Sequence, residues 1–468
     1  MRKQSLIHRL MENDFIILSM IMMIGLLLRV HALGVQSLAQ DELSTIHKSQ
    51  MPFGEIIYGA INIPGLYFLI IKAICNVFGY SELSLRLPSV ILSVALTPLL
   101  YVLGRQLYDR RTGLASGFLI AVSNYNILHS RNARMYPLFW FLMIASFIFL
   151  IKSVRRNGKW DWMLYSVSSA MMFYTHYHAA IIFFIQFVGL LLTGRNRLKQ
   201  WGMSFIVICL LYLPQATTIY ESFVYRTGIH WIFQNNDYLD ILKIALSRIT
   251  TGDISGDFGW DLMIYLALLI LGLNACVKSK QHDKLGLILP LGWIIIPILG
   301  FWIVNNTYSP MLTMGTIRYI GFLHIPLILL IGKGLSTLEG RVLLIACMIL
   351  LVSSLGRSIP QYTSTRNLLY GEDWKTFAGK LTQSIDGKTV IVTDMPKTFF
   401  SYYFPRQEIM NINEFKKDYK SLNLDSFILL KNMGDTTRVK KVEKEFKGFK
   451  FKSKYCITRS CYYKFNKK

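Results

Sequence analysis

FIILSMIMMIGLLLRVHALGVQSLAQDELST, residues 15–45, joins a long apolar run to two adjacent acids, Asp41 and Glu42, in a chain with only 27 acidic residues among 468. The run Phe15–Leu33 follows a basic leader (Arg2, Lys3, Arg9). It is too long for the core of a signal peptide, and no small-x-small cleavage pattern follows, so it reads as a retained membrane helix. The whole chain is 53% hydrophobic, and its apolar residues gather into runs instead of spreading at amphipathic spacing. That pattern marks a polytopic membrane protein. The net charge of +24 would suggest a nucleic-acid partner in a soluble protein. Here the basic residues sit largely in short loops between apolar runs, where they signal topology, and no nucleic-acid partner is expected.

Eleven apolar runs are legible, near residues 15–33, 88–104, 113–128, 137–151, 162–175, 179–193, 202–214, 260–277, 285–304, 319–335 and 341–356. With a cytosolic N-terminus the inner segments hold 18 basic residues, Arg105, Arg110, Arg111, Arg155, Arg156, Arg195, Arg197, Lys333 and Arg341 among them, against nine in the outer loops. The positive-inside rule then fixes the orientation. PGLYFLIIKAICNVFG, Pro64–Gly79, is apolar but short, contains Lys72, and would flip every later loop if it crossed. It is expected to lie in the outer interface as an amphipathic or re-entrant piece, so that residues 34–87 form one large external loop.

After Gly356 the composition turns polar, with 23 Lys/Arg against 11 Asp/Glu, and strand-like stretches appear at 388–394 (KTVIVTD) and 426–431 (SFILLK). Residues 1–356 are therefore read as a membrane domain and 357–468 as a small external α/β domain, with Cys456 and Cys461 placed for a disulfide. The other four cysteines lie in apolar runs and read as core.

The chemistry-bearing side chains lie at the outer ends of the runs. Ser37 and Gln40 fit an S-x-x-Q capping box, which puts Asp41 and Glu42 in the first turns of a helix. Adjacent helical side chains diverge by about 100°, so one acid is expected to act and the other to brace; both also suit solvated residues favoured by a helix dipole. In HSRNARMYP (129–137), Arg131, Arg134 and Tyr136 are spaced to converge on a phosphate or to meet lipid headgroups. His176 and His178, in FYTHYHA, suit interfacial hydrogen bonding better than metal binding.

Taken in order, the acid pair, FGYSELSLRLPS (78–89), SRNARMYPL (130–138), THYHA (175–179) and TIRYIGFLHIP (316–326) resemble the GT-C class of membrane glycosyltransferases. The nearest group is the protein O-mannosyltransferase and aminoarabinose transferase superfamily, with the bacterial RgtA/B/C/D-like members of glycosyltransferase family 39. The resemblance covers about residues 10–335. It implies a GT-C fold and inverting transfer of a sugar from a polyprenyl-phosphate carrier to an acceptor lipid, glycan or protein at the outer face of the cell membrane. It implies Asp41 as general base and Glu42 as its orienting partner. Arg131, Arg134, Tyr136, Arg318, Tyr319 and Arg86 become candidates for the donor phosphate, and His176 for substrate. No cofactor is expected, and a divalent metal is not favoured. One departure stands out: relatives carry a basic residue before Pro-Pro-Leu-Tyr, where this chain has Ile63-Pro64-Gly65-Leu66-Tyr67. Asn62 or Lys72 would have to compensate. The competing readings are a flippase or polysaccharide transporter, which needs charged groups along a path through the bilayer, and an inactive relative within an envelope-glycan complex.

Overall fold

The computed structural model describes residues 13–58, 64–215, 238–252, 260–278, 285–307, 316–367, 373–385, 388–393, 397–432, 439–457 and 460–467. Arg2, Lys3, Arg9, Asn62 and Ile63, which enter the sequence reading, lie outside them.

All eleven apolar runs fall on helices. Among the described residues six helices are long and apolar enough to cross a membrane: Glu82–Leu107, Tyr136–Arg156, Trp260–Lys278, Leu285–Thr307, Ile317–Leu335 and Gly340–Ile359. Ala179–Thr193 and Arg195–Gln215 meet at 119° and make a seventh if the two halves count as one span. Helices such as Asp14–Val30, with 17 residues, and Lys159–Phe173, with 15, fall short by length. At about 1.5 Å per residue they are short against the roughly 30 Å of a hydrocarbon core, yet Asp14–Val30 runs from the end where Asp14 meets Arg110 to the end where Arg131 meets Ala32. The run at 113–128 is broken at Ser123, whose Oγ accepts from Asn126 N and starts a second short helix, Asn124–Ser130. The last long helix outruns its apolar stretch and ends at Tyr362, because Arg357 pairs with Asp261 and Ser358 donates to Asn124 Oδ1.

The basic loops gather at one end of the bundle. There Asp14 pairs with Arg110 at 2.5 Å, Lys333 with Asp109 at 2.7 Å and Arg111 with Glu339 at 3.1 Å. Arg155 donates to Gln106 O, and Arg197 to Val154 O. Helices Glu82–Leu107 and Tyr136–Arg156 run from this end to the opposite one, where the acid pair lies. The short helix Leu66–Phe78 buries Tyr67, Phe68, Ile71 and Cys75 while Val77 and Phe78 stay exposed, and it packs against the acid-pair helix Gln40–Gln50.

The C-terminal segment builds a five-stranded sheet: β1 Thr389–Thr393, β2 Ile409–Asn411, β3 Ser426–Asn432, β4 Phe449–Ile457 and β5 Ser460–Lys467, in the order β2-β1-β3-β5-β4. β1 runs parallel to β2 and β3, while β5 is antiparallel to β3 and β4. Cys456 and Cys461 face each other across β4 and β5 and are joined by a disulfide. Strand alternation divides the sheet. Val390, Val392, Phe427 and Phe465 build a core of the domain's own. Ile391, Ile428 and Tyr462, with Trp374, Phe377 and Phe400, join the apolar core of the helical part.

Helices Trp260–Lys278 and His324–Leu335 approach through facing glycines. A Cβ on Gly272 would stand 2.0 Å from Leu330 O, and one on Gly334 would stand 1.8 Å from Leu268 O. Small residues let membrane helices come this close, and overpacking costs about 1–3 kcal/mol or more. Gly334→Leu is expected to lower the melting temperature and folded yield in detergent. Gly300→Leu, with nothing within 4 Å of its Cβ position, is the matched control and should leave both unchanged.

Candidate active site

Between the first helix and the acid-pair helix the chain turns through residues 31–39. Ala32 adopts the left-handed conformation, φ 52°, which costs a residue with a side chain about 1–2 kcal/mol. Two buried arginines, Arg131 and Arg86, hold this elbow, and a third, Arg29, anchors the helix before it. Arg29 donates to Ser93 Oγ, Asn126 Oδ1 and the carbonyls of Gly25, Ile120 and Ala121. Arg131 donates to the carbonyls of Arg29, His31 and Ala32 and lies 3.9 Å from the centre of the Tyr362 ring. Arg86 donates to Leu33 O, Gln36 O and Ser37 O, and its remaining two N–H groups grip Glu42 at 2.9 and 3.0 Å.

Glu42 is fully buried, and it also accepts from Ala133 N and Ala39 N, each at 2.9 Å. One carboxylate thus ties the elbow, helix Glu82–Leu107 and the loop 131–135 together. The helix starts later than the S-x-x-Q reading placed it. Ala39 is the N-cap, and Glu42 serves as the acid that reaches back to the cap's backbone N–H, because Ser37 Oγ is drawn instead to Asp373 and Lys375 N.

Asp41, one residue earlier, points elsewhere. It is 27% exposed, and its Oδ2 lies 3.2 Å from Arg318 Nη1. Arg134 donates to the Asp41 carbonyl, and Thr45 Oγ1 bridges Asp41 O and Ala133 O. From Arg318, on the short 3-10 helix Ile317–Leu323, a chain of ring contacts leads round the site. The guanidinium faces Tyr319, whose ring lies 5.6 Å from His178; His178 lies 4.5 Å from His176; His176 lies 5.9 Å from Tyr136. Burial pushes the His178 imidazole down to about 4. Burial, then His178 and the cations Arg134 and Arg318, hold His176 well below the ordinary imidazole range. Both rings are neutral at pH 7 and offer hydrogen bonds without adding charge.

The structure therefore brings Asp41, Arg134, Tyr136, His176, Arg318 and Tyr319 to one place, with His178 among them. Arg86 and Arg131, expected among the phosphate contacts, are not part of the group. All five N–H donors of Arg86 are consumed, and Arg131 is spent on the carbonyls at the end of the first helix. Lys72, proposed to stand in for the missing basic residue, donates to Met51 O at the far end of the acid-pair helix. Tyr67 of the Pro-Gly-Leu-Tyr stretch is a brace, bonded to Ser89, which in turn donates to Arg134 O. Sequence reasoning also missed the C-terminal contacts on the elbow, which carry no motif.

Residues 62–218 match the dolichyl-phosphate-mannose-protein mannosyltransferase family. The structure is similar to ArnT from Cupriavidus metallidurans in the apo state, with TM-score 0.65 and 11% identity over 95% of this chain and 97% of that one. The same protein bound to undecaprenyl phosphate matches with TM-score 0.62 and the same identity and coverage. The apo oligosaccharyltransferase of Archaeoglobus fulgidus matches with TM-score 0.59 and 11% identity, over 92% of this chain and 70% of that one. The chain has the GT-C fold of membrane glycosyltransferases. No curated protein sequence matches it.

The two acids make separable demands. Glu42→Gln leaves Arg86 buried beside a neutral amide, and stripping one partner from a buried pair costs about 3–5 kcal/mol. Glu42→Gln is expected to lower the melting temperature sharply, whereas Asp41→Asn, at a part-exposed position, should leave it close to wild type. A thermal unfolding series in detergent checks both.

Proposed function

We propose that this protein transfers a sugar from a polyprenyl-phosphate donor to an acceptor hydroxyl, with inversion, and that Asp41 is the general base. The observation that carries this reading is the part-exposed Asp41 carboxylate paired with Arg318 and flanked by Arg134, Tyr136 and Tyr319. A base beside cationic and phenolic donors is what displacement of a lipid phosphate requires. The acceptor oxygen attacks the anomeric carbon and its proton passes to Asp41. The bond from that carbon to the phosphate oxygen breaks, and polyprenyl phosphate leaves with its charge met by Arg318 and Arg134. That the structurally similar ArnT binds undecaprenyl phosphate supports a polyprenyl-phosphate donor.

The ion pair also suggests an order of events. Donor phosphate competes for Arg318 and frees Asp41 to receive the acceptor's proton, so the donor binds first. The cations already present supply the positive charge that a divalent metal would bring to a leaving phosphate, and transfer is proposed to be metal-independent. Asp41→Asn is expected to lose about 10²–10⁴ of the transfer rate. Wild-type transfer from a radiolabelled polyprenyl-phosphate sugar should survive chelation by EDTA. A variant retaining more than about a tenth of the rate would remove Asp41 from the base role.

The protein is a multi-pass membrane protein, and the site is proposed to face away from the cytosol, since the basic loops gather at the opposite end. A disulfide in the C-terminal domain fits an oxidising compartment. In intact cells an impermeant thiol reagent should label a single cysteine placed at position 452, on the exposed edge strand β4, and spare one placed at 155. The reverse pattern would put the site on the cytosolic face.

A further inference from the structure

We infer that the C-terminal domain is a working part of the catalytic site, and that Tyr403 and Asn367 are positioning residues which set the direction of Asp41 through the elbow. The inference rests on the function proposed above.

The backbone of residues 33–39 is divided between two partners. From the membrane part Arg86 takes Leu33 O, Gln36 O and Ser37 O, and Glu42 takes Ala39 N. The C-terminal part takes the next two N–H groups upstream. Ser37 N donates to Thr365 O at 2.8 Å, and Leu38 N to the Tyr403 hydroxyl at 2.7 Å. Asn367 Nδ2 donates to Ser37 O at 3.2 Å and lies 3.5 Å from Glu42 Oε2, so it touches both the turn and the buried carboxylate. Ser37 Oγ donates to Asp373 and accepts from Lys375 N. Lys375 Nζ donates to Val35 O and pairs with Glu82, which also accepts from Tyr402.

On the elbow these contacts fall on Val35, Ser37 and Leu38, just before the helix begins at Gln40, and Asp41 is its second residue. A slip of one residue at a helix start rotates the following side chains by about 100°. In that case Asp41 would leave Arg318. Leu38 and Ala39 are fully buried, so an N–H released there finds no water to replace its partner. The short helix Lys397–Ser401, just before Tyr403, packs on the acid-pair helix, and Phe400 and Phe404 belong to the shared apolar core. The hydroxyl of Tyr403 is therefore delivered from a rigid support.

The test uses full-length protein in lipid, as Tyr403→Phe, Asn367→Ala and the double variant, with Lys375→Met and Lys375→Arg beside them. Two readouts are taken: hydrogen exchange at the amides of residues 37–43, and kcat with KM for the polyprenyl-phosphate sugar. Tyr403→Phe should raise exchange at these amides by about tenfold, the worth of one hydrogen bond. It should lower kcat by about ten- to a hundredfold, as misplacement of a base does, with donor KM nearly unchanged. Lys375→Arg should restore the activity that Lys375→Met loses. Unchanged exchange in the double variant would overturn the grip. Raised exchange with an intact kcat, or kcat and donor affinity falling together with the melting temperature, would overturn positioning. A wild type that transfers no sugar would sink the proposed function, while the exchange readout would still decide whether the C-terminal domain holds the elbow.

Discussion

The fold's active end depends on one buried carboxylate. Glu42 receives a two-pronged grip from Arg86 and two backbone N–H groups, and these four bonds reach helix Glu82–Leu107, the loop 131–135 and the helix's own cap. Its fully buried charge is balanced by a guanidinium 1% exposed. Such a pair adds little net stability over an apolar replacement, because both ions lose their hydration. It adds definition: an elbow with a left-handed alanine is held in a single path. Arg131 extends this by occupying the carbonyls where the turn begins, and Arg29 anchors the helix before it.

Adjacent acids on a helix diverge by about 100°, and here that separates a buried carboxylate from a part-exposed one. Glu42 points inward and is saturated, whereas Asp41 points to a part-open space shared with Arg318, Arg134 and two neutral histidines. The arginines differ in where their donors go: Arg86 spends all five on Glu42 and the elbow carbonyls, and Arg131 turns to the end of the first helix, whereas Arg318 and Arg134 reach Asp41.

Much of this was legible in the sequence, for identifiable reasons. Apolar runs report helices directly, so Tyr136–Arg156 or Leu285–Thr307 could be read to within a few residues. The short run Pro64–Gly79 was excluded as a span by its length and Lys72, and it is a 13-residue helix packed on the acid-pair helix. The motifs placed Asp41, Arg318 and Tyr319 at one end because sidedness follows from counting spans. What could not be read is which arginine spends its donors on backbone carbonyls. Arg131 and Arg134 are three residues apart and alike in sequence, yet the first caps the opening helix and the second reaches Asp41. The contribution of the C-terminal domain was equally hidden, since backbone N–H groups at Ser37 and Leu38 carry no side-chain signature.

The central claim is that this site breaks the bond between sugar and lipid phosphate. The most direct measurement is to reconstitute the purified protein in liposomes with a polyprenyl-phosphate sugar labelled in the sugar, supply acceptor fractions from the cell envelope, and follow the label. Label leaving the lipid, with free polyprenyl phosphate appearing in equal amount, is the predicted result. Label that crosses the bilayer while still attached to its lipid would identify a flippase and contradict the account.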